Sequence, residues 1–141
     1  MRALAFDVGL KRIGIAATDP LMIIAKPLIT LSPAQIADYL EVYIKDEEVV
    51  QFVVGKPMRL DGSDSESAHL VVQFKNWLAQ TWPHIPMEDI DERFTSSMAQ
   101  QSIYDNGIKK SDRKNKKNID STAAALILQT WLDKKTNLLD L

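Results

Sequence analysis

Apolar residues in the first thirty positions occur in short runs that are typical of strands. The run from Arg2 to Asp7 is mostly apolar, as expected for a strand that is buried on both faces. Two further runs follow at Ile13 to Thr18 and Ile23 to Thr30. Because the connections between them are short, the pattern predicts that the three strands pair as antiparallel hairpins.

A helix-start signal follows these strands. Ser32 is suited to the N-cap, Pro33 to the first helical position, and Gln35 to the reciprocal bond of a capping box. The next apolar residues recur at helical spacing, which predicts one buried face. They are Ile36, Leu40, Tyr43 and Ile44.

The rest of the chain alternates between strand-like and helix-like patterns. In chain order the pattern predicts a strand at 48–55, a helix after a capping box at 63–66, a strand at 85–90, a helix from Thr95 to about Gly107, and a last helix from an Asn118 cap to about Lys134. Long crossovers through helices imply parallel pairing of the later strands. The predicted fold class is therefore α/β, with a mixed five-stranded sheet, its first three strands antiparallel, and helices on both faces.

Composition narrows the picture. A chain of 141 residues fits one domain, and no apolar run approaches the roughly 20 residues of a membrane helix. The absence of cysteine rules out disulfides and thiolate metal ligands and is compatible with a reducing cytoplasm, the expected location. Because the net charge is −2, any contact with nucleic acid must come from a local basic patch.

Two aspartates lie at the ends of predicted elements. Asp7 ends the first strand and precedes Gly9, and ligands of α/β sheets gather beyond the carboxyl ends of strands. Asp120 is predicted in the first turn of the last helix, where the helix dipole contributes only about 0.3–1 kcal/mol, too little to offset burial of an unpaired carboxylate. The ordinary alternatives are a turn aspartate and a helix-start aspartate.

Two further acids are adjacent, at the end of the strand that precedes Arg93. Strand alternation sends Asp91 and Glu92 to opposite faces, so only one of them can easily join the aspartates, and the pattern alone leaves both open. Oxygen ligands of this kind suit Mg²⁺ or Mn²⁺. If the fold gathers three such acids, the chain has a divalent-metal site.

Cationic residues indicate where a phosphate backbone could bind. Six of the nine residues from Lys109 to Lys117 are basic, which predicts a mobile loop that binds phosphates by releasing counterions. A solvated surface is the alternative. The candidate substrate-binding residues are Lys11, Arg12, Lys56, Arg59, Lys110, Arg113, Lys114, Lys116 and Lys117.

Four blocks in the same order along the chain resemble the YqgF (RuvX) family, whose members are described as pre-16S rRNA nucleases or as Holliday-junction-resolvase-like proteins. The blocks are Phe6–Gly14, Val53–Gly62, Asp91–Thr95 and Lys117–Gln129. The chain departs from the usual family pattern at three positions. Lys56 stands at a position that is usually apolar, Arg59 where Asn is common, and Phe94 in place of Leu.

The resemblance implies a single ribonuclease H-like nuclease domain over residues 1–141. It implies that Asp7, Glu92 and Asp120 are the catalytic acids, holding Mg²⁺ or Mn²⁺, and that Asp91 is structural. The expected partners are structured RNA, branched DNA and ribosomal precursor particles, with no membrane. Monomer and homodimer both stay open.

The function that the resemblance implies is metal-dependent hydrolysis of phosphodiester bonds, in processing of the 5′ end of pre-16S rRNA. The alternatives are a Holliday junction resolvase and a non-catalytic RNA-binding assembly factor. Phosphotransfer from ATP is a further alternative, because Asp-x-Gly turns also occur in actin-like folds. Those enzymes need two such domains, and the chain is too short for that.

Overall fold

Five strands form one mixed sheet, which is flanked by helices. The structure, a computed structural model, describes residues 1–56, 68–92 and 116–139, with side chains at 1–56, 68–92 and 121–136. The elements are β1 (Arg2–Val8), β2 (Ile13–Thr18), β3 (Ala25–Leu31), α1 (Pro33–Asp46), β4 (Val49–Lys56), α2 (Ala68–Thr81), β5 (Met87–Asp91) and α3 (Lys116–Leu139). The predicted capping box at 63–66 and the predicted helix at 95–107 lie outside the described residues.

The strand order in the sheet is β3-β2-β1-β4-β5. β1 pairs antiparallel with β2, and β2 pairs antiparallel with β3, whereas β1 with β4 and β4 with β5 are parallel pairs. The predicted mixed sheet with an antiparallel first half is therefore confirmed. Its central strand is β1, which has one antiparallel and one parallel neighbour.

Alternation along β1 divides the buried side chains between two cores. Leu4 and Phe6 face α1 and α2, and the Phe6 ring lies edge-on to Phe52 and Phe74, with centroid separations of 5.7 and 5.0 Å. Ala3 and Ala5 face the opposite side, where α3 packs across the sheet. The predicted helices on both faces are thus observed.

Small side chains bring α3 close to the sheet. The residues in this contact include four strand alanines and two helix alanines, and larger side chains of α3 surround them. The alanines are Ala3, Ala5, Ala16, Ala25, Ala124 and Ala125. Because an alanine adds only one carbon beyond the backbone, this helix packs closely against β2, β3 and β1, where it can face the acid at the end of β1.

The predicted start of α1 is confirmed. The Gln35 side chain accepts a hydrogen bond from the Ser32 backbone N–H at 3.1 Å, and Pro33 is the first helical residue. Of the predicted apolar face, Ile36 and Leu40 are buried. This helix returns the chain from the end of β3 to the start of β4, which lies parallel to β1.

The third strand begins later than the pattern predicts. The carboxylate of Asp19 accepts hydrogen bonds from the backbone N–H groups of Ile23 and Ile24, at 2.7 and 2.8 Å. These bonds hold both residues in the β2–β3 turn, where Met22 has a φ of 57°. Strand pairing therefore starts at Ala25 rather than at Ile23.

Helix α3 begins earlier than predicted and ends later. Since it starts at Lys116, Asn118 is not its N-cap, and Asp120 is the fifth helical residue rather than a member of the first turn. Lysine favours helix, and no glycine or proline interrupts the segment. The loop prediction for 109–117 is consequently wrong for its last two residues, Lys116 and Lys117. None of the helices in the described ranges is both long and apolar enough to cross a membrane.

Candidate metal and nucleic-acid site

The first candidate acid lies at the carboxyl end of the central strand. Asp7 pairs with Gly14 of β2, and the pairing of Phe6 with Val54 brings it level with Gly55 of β4. Alternation with Ala3 and Ala5, which face α3, directs the Asp7 side chain to the α3 side of the sheet. The residue is partly buried and makes an interaction in the structure.

The second candidate acid, Glu92, directly follows β5. Two residues of this strand show which of its positions face α3. Ile90 packs in the core beneath α3, and the Glu88 carboxylate accepts a hydrogen bond from the indole N–H of Trp131 on α3. Glu92 continues this even-numbered series, and it is partly buried.

The odd-numbered acids of β5 face the other side. Asp89 forms a salt bridge with Lys75 of α2, with an N–O separation of 2.7 Å. By alternation Asp91 shares that side. The structure therefore separates the two neighbours that the sequence left open: Glu92 lies on the same face of the sheet as Asp7, and Asp91 does not.

The carboxylate of Glu92 extends over the neighbouring strand. A Cβ placed on Gly55 would lie 2.9 Å from Glu92 Oε1 and 3.3 Å from its carboxyl carbon. Because β4 runs between β1 and β5, this position brings the carboxylate to within about one strand spacing, ~4.8 Å, of the strand that bears Asp7. The two acids thus lie on either side of a residue that has no side chain.

Gly55 and Ile127 belong to this arrangement, and neither is among the site residues predicted from the sequence. The same hypothetical Cβ would lie 2.5 Å from Cδ1 of Ile127, which is buried on α3. The available signal was a glycine near the end of a mostly apolar strand, which often marks a close approach of another group to the backbone. Here the approaching groups are Glu92 and α3.

The third candidate acid is on α3. Asp120 lies seven residues before Ile127, which is about two helical turns and nearly the same face of the helix. The backbone of Asp120 thus continues the helix face that covers Gly55. Its side chain lies outside the described side chains, so its place beside the other two acids stays a prediction.

The described side chains alone contain no group of three residues that could hold a metal ion. They place two of the three predicted ligands, Asp7 and Glu92, on one face, and the third is on the helix above. A donor set made only of carboxylate oxygens suits Mg²⁺ or Mn²⁺, which are bound by few protein ligands and retain several waters. The chemistry of the donors at this face therefore fits the predicted ion.

Cationic residues lie at the carboxyl ends of β1 and β4, the edge of the sheet that carries the acids. Lys11 is exposed and Arg12 is partly buried in the β1–β2 turn, which is closed by a 2.9 Å hydrogen bond from the Gly9 N–H to the Arg12 carbonyl. A Cβ on Gly9 would lie 3.0 Å from that carbonyl oxygen, so the turn favours glycine. Lys56 is exposed at the end of β4.

The remaining candidate substrate-binding residues are not placed as side chains. Arg59, Lys110, Arg113 and Lys114 lie outside the described residues. Lys116 and Lys117 form the first two positions of α3, and only their backbone is described. The described part of the predicted basic surface thus consists of Lys11, Arg12 and Lys56.

Comparison with known proteins identifies relatives over nearly the whole chain. The family model described as RuvX, Holliday junction resolvase, matches residues 1–134. A protein of Christiangramia forsetii, named "Putative pre-16S rRNA nuclease", is 44% identical over 131 residues, which cover 93% of this chain and 97% of that protein. A Porphyromonas gingivalis protein of the same name is 45% identical over 132 residues, covering 94% of this chain and 96% of that protein.

Two solved structures have a similar fold. RuvC of Thermus thermophilus, in complex with a Holliday junction substrate, superimposes with a TM-score of 0.60 at 14% sequence identity, covering 97% of this chain and 96% of that one. A second structure of Thermus thermophilus RuvC gives a TM-score of 0.56 at 13% identity, with 97% of each chain covered. These similarities confirm the predicted ribonuclease H-like fold.

Proposed function

The chain belongs to the RuvX family of Holliday junction resolvases, and from this premise we propose that it is a metal-dependent nuclease that processes pre-16S rRNA. The observation that supports the proposal most directly is the placement of Asp7 and Glu92 on one face of the sheet, on either side of Gly55. Carboxylates gathered at the ends of strands beneath a helix are suited to binding a hard cation.

Asp7, Glu92 and Asp120 would hold one or two Mg²⁺ or Mn²⁺ ions. When bound, such ions generate hydroxide from water and stabilise the leaving oxygen of a phosphodiester. The role of the three acids is to fix the position of the ions and to neutralise part of their charge. Asp7 and Glu92 are partly buried, so part of each side chain packs against the protein.

The cations at the same edge of the sheet would bind the substrate backbone. Lys11 and Lys56 are exposed, so each can reach a phosphate without leaving a buried partner. Arg12 is partly buried and already interacts within the protein, which suits it to orienting one phosphate rather than following a mobile strand. Lys11 and Arg12 would orient the scissile phosphate near the acids, and Lys56, which alternation places on the α1/α2 side with Asp91, would bind the backbone farther from them.

We assign pre-16S rRNA as the substrate because relatives at 44% and 45% identity bear that name. With this substrate, the protein would act in the cytoplasm, with ribosomal precursor particles as partners. The second candidate substrate is branched DNA, because the family model is described as a Holliday junction resolvase. One ribonuclease H-like domain over residues 1–141 would serve either substrate.

Cleavage assays on structured RNA and on four-way junction DNA test the proposal, with Mg²⁺ or Mn²⁺ present. The variants are Asp7→Asn, Glu92→Gln and Asp120→Asn, each of which keeps the side-chain shape and removes a charge. Glu88→Gln is the matched control, because Glu88 faces α3 from the same strand but pairs with Trp131. We expect each of the three acid variants to lose activity and the control to keep it.

Two other results would change the assignment. Near wild-type cleavage by all three acid variants would exclude these residues as the catalytic set. Tight RNA binding by the wild-type protein and by all three variants, with no cleavage by any of them, would favour the non-catalytic assembly factor. Preference for RNA over junction DNA, measured as kcat/KM, decides between the two substrates.

A further inference from the structure

We propose that Gly55 is a positioning residue for Glu92: its missing side chain provides the space in which the Glu92 carboxylate and α3 meet above β4. The inference rests on the proposed function, because it concerns one of the acids assigned there to the metal ion. The inference adds to the proposed site a residue that is not a metal ligand. Gly55 has no group that could bind a cation through its side chain.

The space above Gly55 is shared by two side chains from different elements. Glu92 Oε1 reaches it from the end of β5, at 2.9 Å from the place of a Cβ, and Ile127 Cδ1 reaches it from α3, at 2.5 Å. Cβ atoms in proteins essentially never show contacts this short. Any residue other than glycine must therefore displace at least one of the two groups.

The two groups differ in how easily they can move. Ile127 is 1% exposed and packs among the core residues beneath α3, so its displacement would disturb that packing. The Glu92 carboxylate is the far end of a flexible side chain, and the residue is only partly buried. A methyl group at position 55 would consequently move the carboxylate first, away from the strand that bears Asp7.

The consequence for a metal site follows from the sheet geometry. β4 lies between the strands that lead to the two acids, so a carboxylate above Gly55 is nearer to Asp7 than one above β5. Displacement of a ligand or of its support typically lowers metal affinity by about 10–100-fold. We expect Gly55→Ala to weaken Mn²⁺ binding by a factor in this range.

A double variant separates positioning from packing. Ile127→Val removes Cδ1, the atom in closest contact with the new methyl group, and leaves the contact with Glu92. We expect Gly55→Ala/Ile127→Val to recover the thermal midpoint of the Ile127→Val protein, while Mn²⁺ affinity, measured by calorimetry, stays about 10-fold or more below that of Ile127→Val. The control for lost stability is Val54→Ala, because Val54 is buried on the opposite face. This control should keep its Mn²⁺ affinity.

The outcomes distinguish the inference from the proposed function. If the wild-type protein and Ile127→Val bind Mn²⁺ and the double variant binds it equally well, Gly55 does not position Glu92 and the inference fails alone. A double variant that does not fold would also overturn it, by showing that Gly55 serves the fold. If the wild-type protein itself has no affinity for Mn²⁺ or Mg²⁺, the proposed function fails. A crystal structure of the double variant with the carboxylate displaced from above residue 55 would support the inference.

Discussion

Lys75 and Asp89 form a salt bridge, with an N–O separation of 2.7 Å, that joins α2 to the edge strand β5. The pair marks the sheet face on which the odd-numbered acids of β5 lie. We therefore expect Asp91→Asn to cleave RNA within about twofold of the wild-type rate. Glu92→Gln should lose activity on the order of 100-fold or more, since metal-ion catalysis contributes several kcal/mol and each 1.4 kcal/mol is about tenfold.

The two substitutions compare adjacent acids whose side chains point to opposite faces of the sheet. Single-turnover cleavage of structured RNA in Mn²⁺ is the appropriate measurement, because it avoids product release. Equal losses of activity in Asp91→Asn and Glu92→Gln would mean that the face of the sheet on which an acid lies does not decide its role in cleavage. That result would contradict the assignment of the two acids to opposite faces.

The difference between these two acids illustrates what the sequence could not decide. Alternation shows that Asp91 and Glu92 point to opposite sides, but not which side α3 covers, because that depends on contacts between residues about forty positions apart. The structure supplies the missing contact, the hydrogen bond from Trp131 to Glu88. The resemblance to the family favoured Glu92 without giving this physical reason.

Local patterns predicted the elements well where the signals were mutually consistent. The capping residues at Ser32 and Gln35 and the apolar runs of β1 and β2 gave bounds close to those observed. The predicted bounds were wrong where a side chain can serve more than one structural role. Asp19 caps a turn and delays β3, and Asn118, a good N-cap residue, lies inside a helix that lysines extend. A glycine near the end of β4 indicates that another group approaches the backbone, but not which one, because the two groups come from distant parts of the chain.

The exposed lysines near the site should contribute to substrate affinity through charge. We expect Lys11→Ala and Lys56→Ala each to weaken RNA binding and to reduce the slope of log K against log salt by about 0.7–0.9, the contribution of one released counterion. Lys45→Ala is the control, because Lys45 is exposed in the last turn of α1, at the other end of the sheet. Fluorescence anisotropy across a salt series measures all three. Equal slopes for Lys45→Ala and Lys56→Ala would argue against a localised basic surface.

The core between the sheet and the first two helices should tolerate truncation poorly. Phe52 is 0% exposed, and its ring meets Phe6 and Trp82 edge-on. Phe52→Ala should lower the free energy of unfolding by about 3–5 kcal/mol, through lost transfer energy and the cavity left behind. Urea denaturation measures the change. Val42→Ala, at a residue that is 61% exposed, should stay within about 0.5 kcal/mol of the wild type. A loss below 1 kcal/mol for Phe52→Ala would contradict the described packing.

The turn between β2 and β3 should make the free energy of unfolding depend on pH in the acid range. Slight burial of Asp19 acts to raise its pKa, but hydrogen bonds from the backbone of Ile24, Ile23 and Leu21 outweigh it, so the pKa lies below the ordinary value of 3.8. A pKa that is lower in the folded state than in the unfolded state stabilises the fold at pH values above the unfolded-state pKa. This stabilisation is lost as the pH falls through the folded-state pKa.

The variant Asp19→Asn isolates this contribution, since it keeps an oxygen acceptor and removes the charge. We expect the wild-type protein to be more stable than Asp19→Asn at pH 7, and the difference to shrink as the pH falls below 3.8. Urea denaturation of both proteins from pH 7 to pH 2.5 tests this. A difference that is constant over the whole range would show that the charge of Asp19 does not contribute.

Binding of a divalent ion should stabilise the folded protein independently of any substrate. A ligand that binds only the folded state adds about 2.7 kcal/mol at a concentration 100 times its Kd. We therefore expect Mn²⁺ to raise the thermal midpoint of the wild-type protein and of Glu88→Gln, in which the contact with Trp131 can persist. The midpoint of Glu92→Gln should rise much less, because one of the proposed metal ligands has lost its charge. Calorimetric melting with Mn²⁺ and with an excess of chelator measures the difference. A rise of equal size in Glu92→Gln and the wild type would place the ion elsewhere on the protein and remove Glu92 from the metal site.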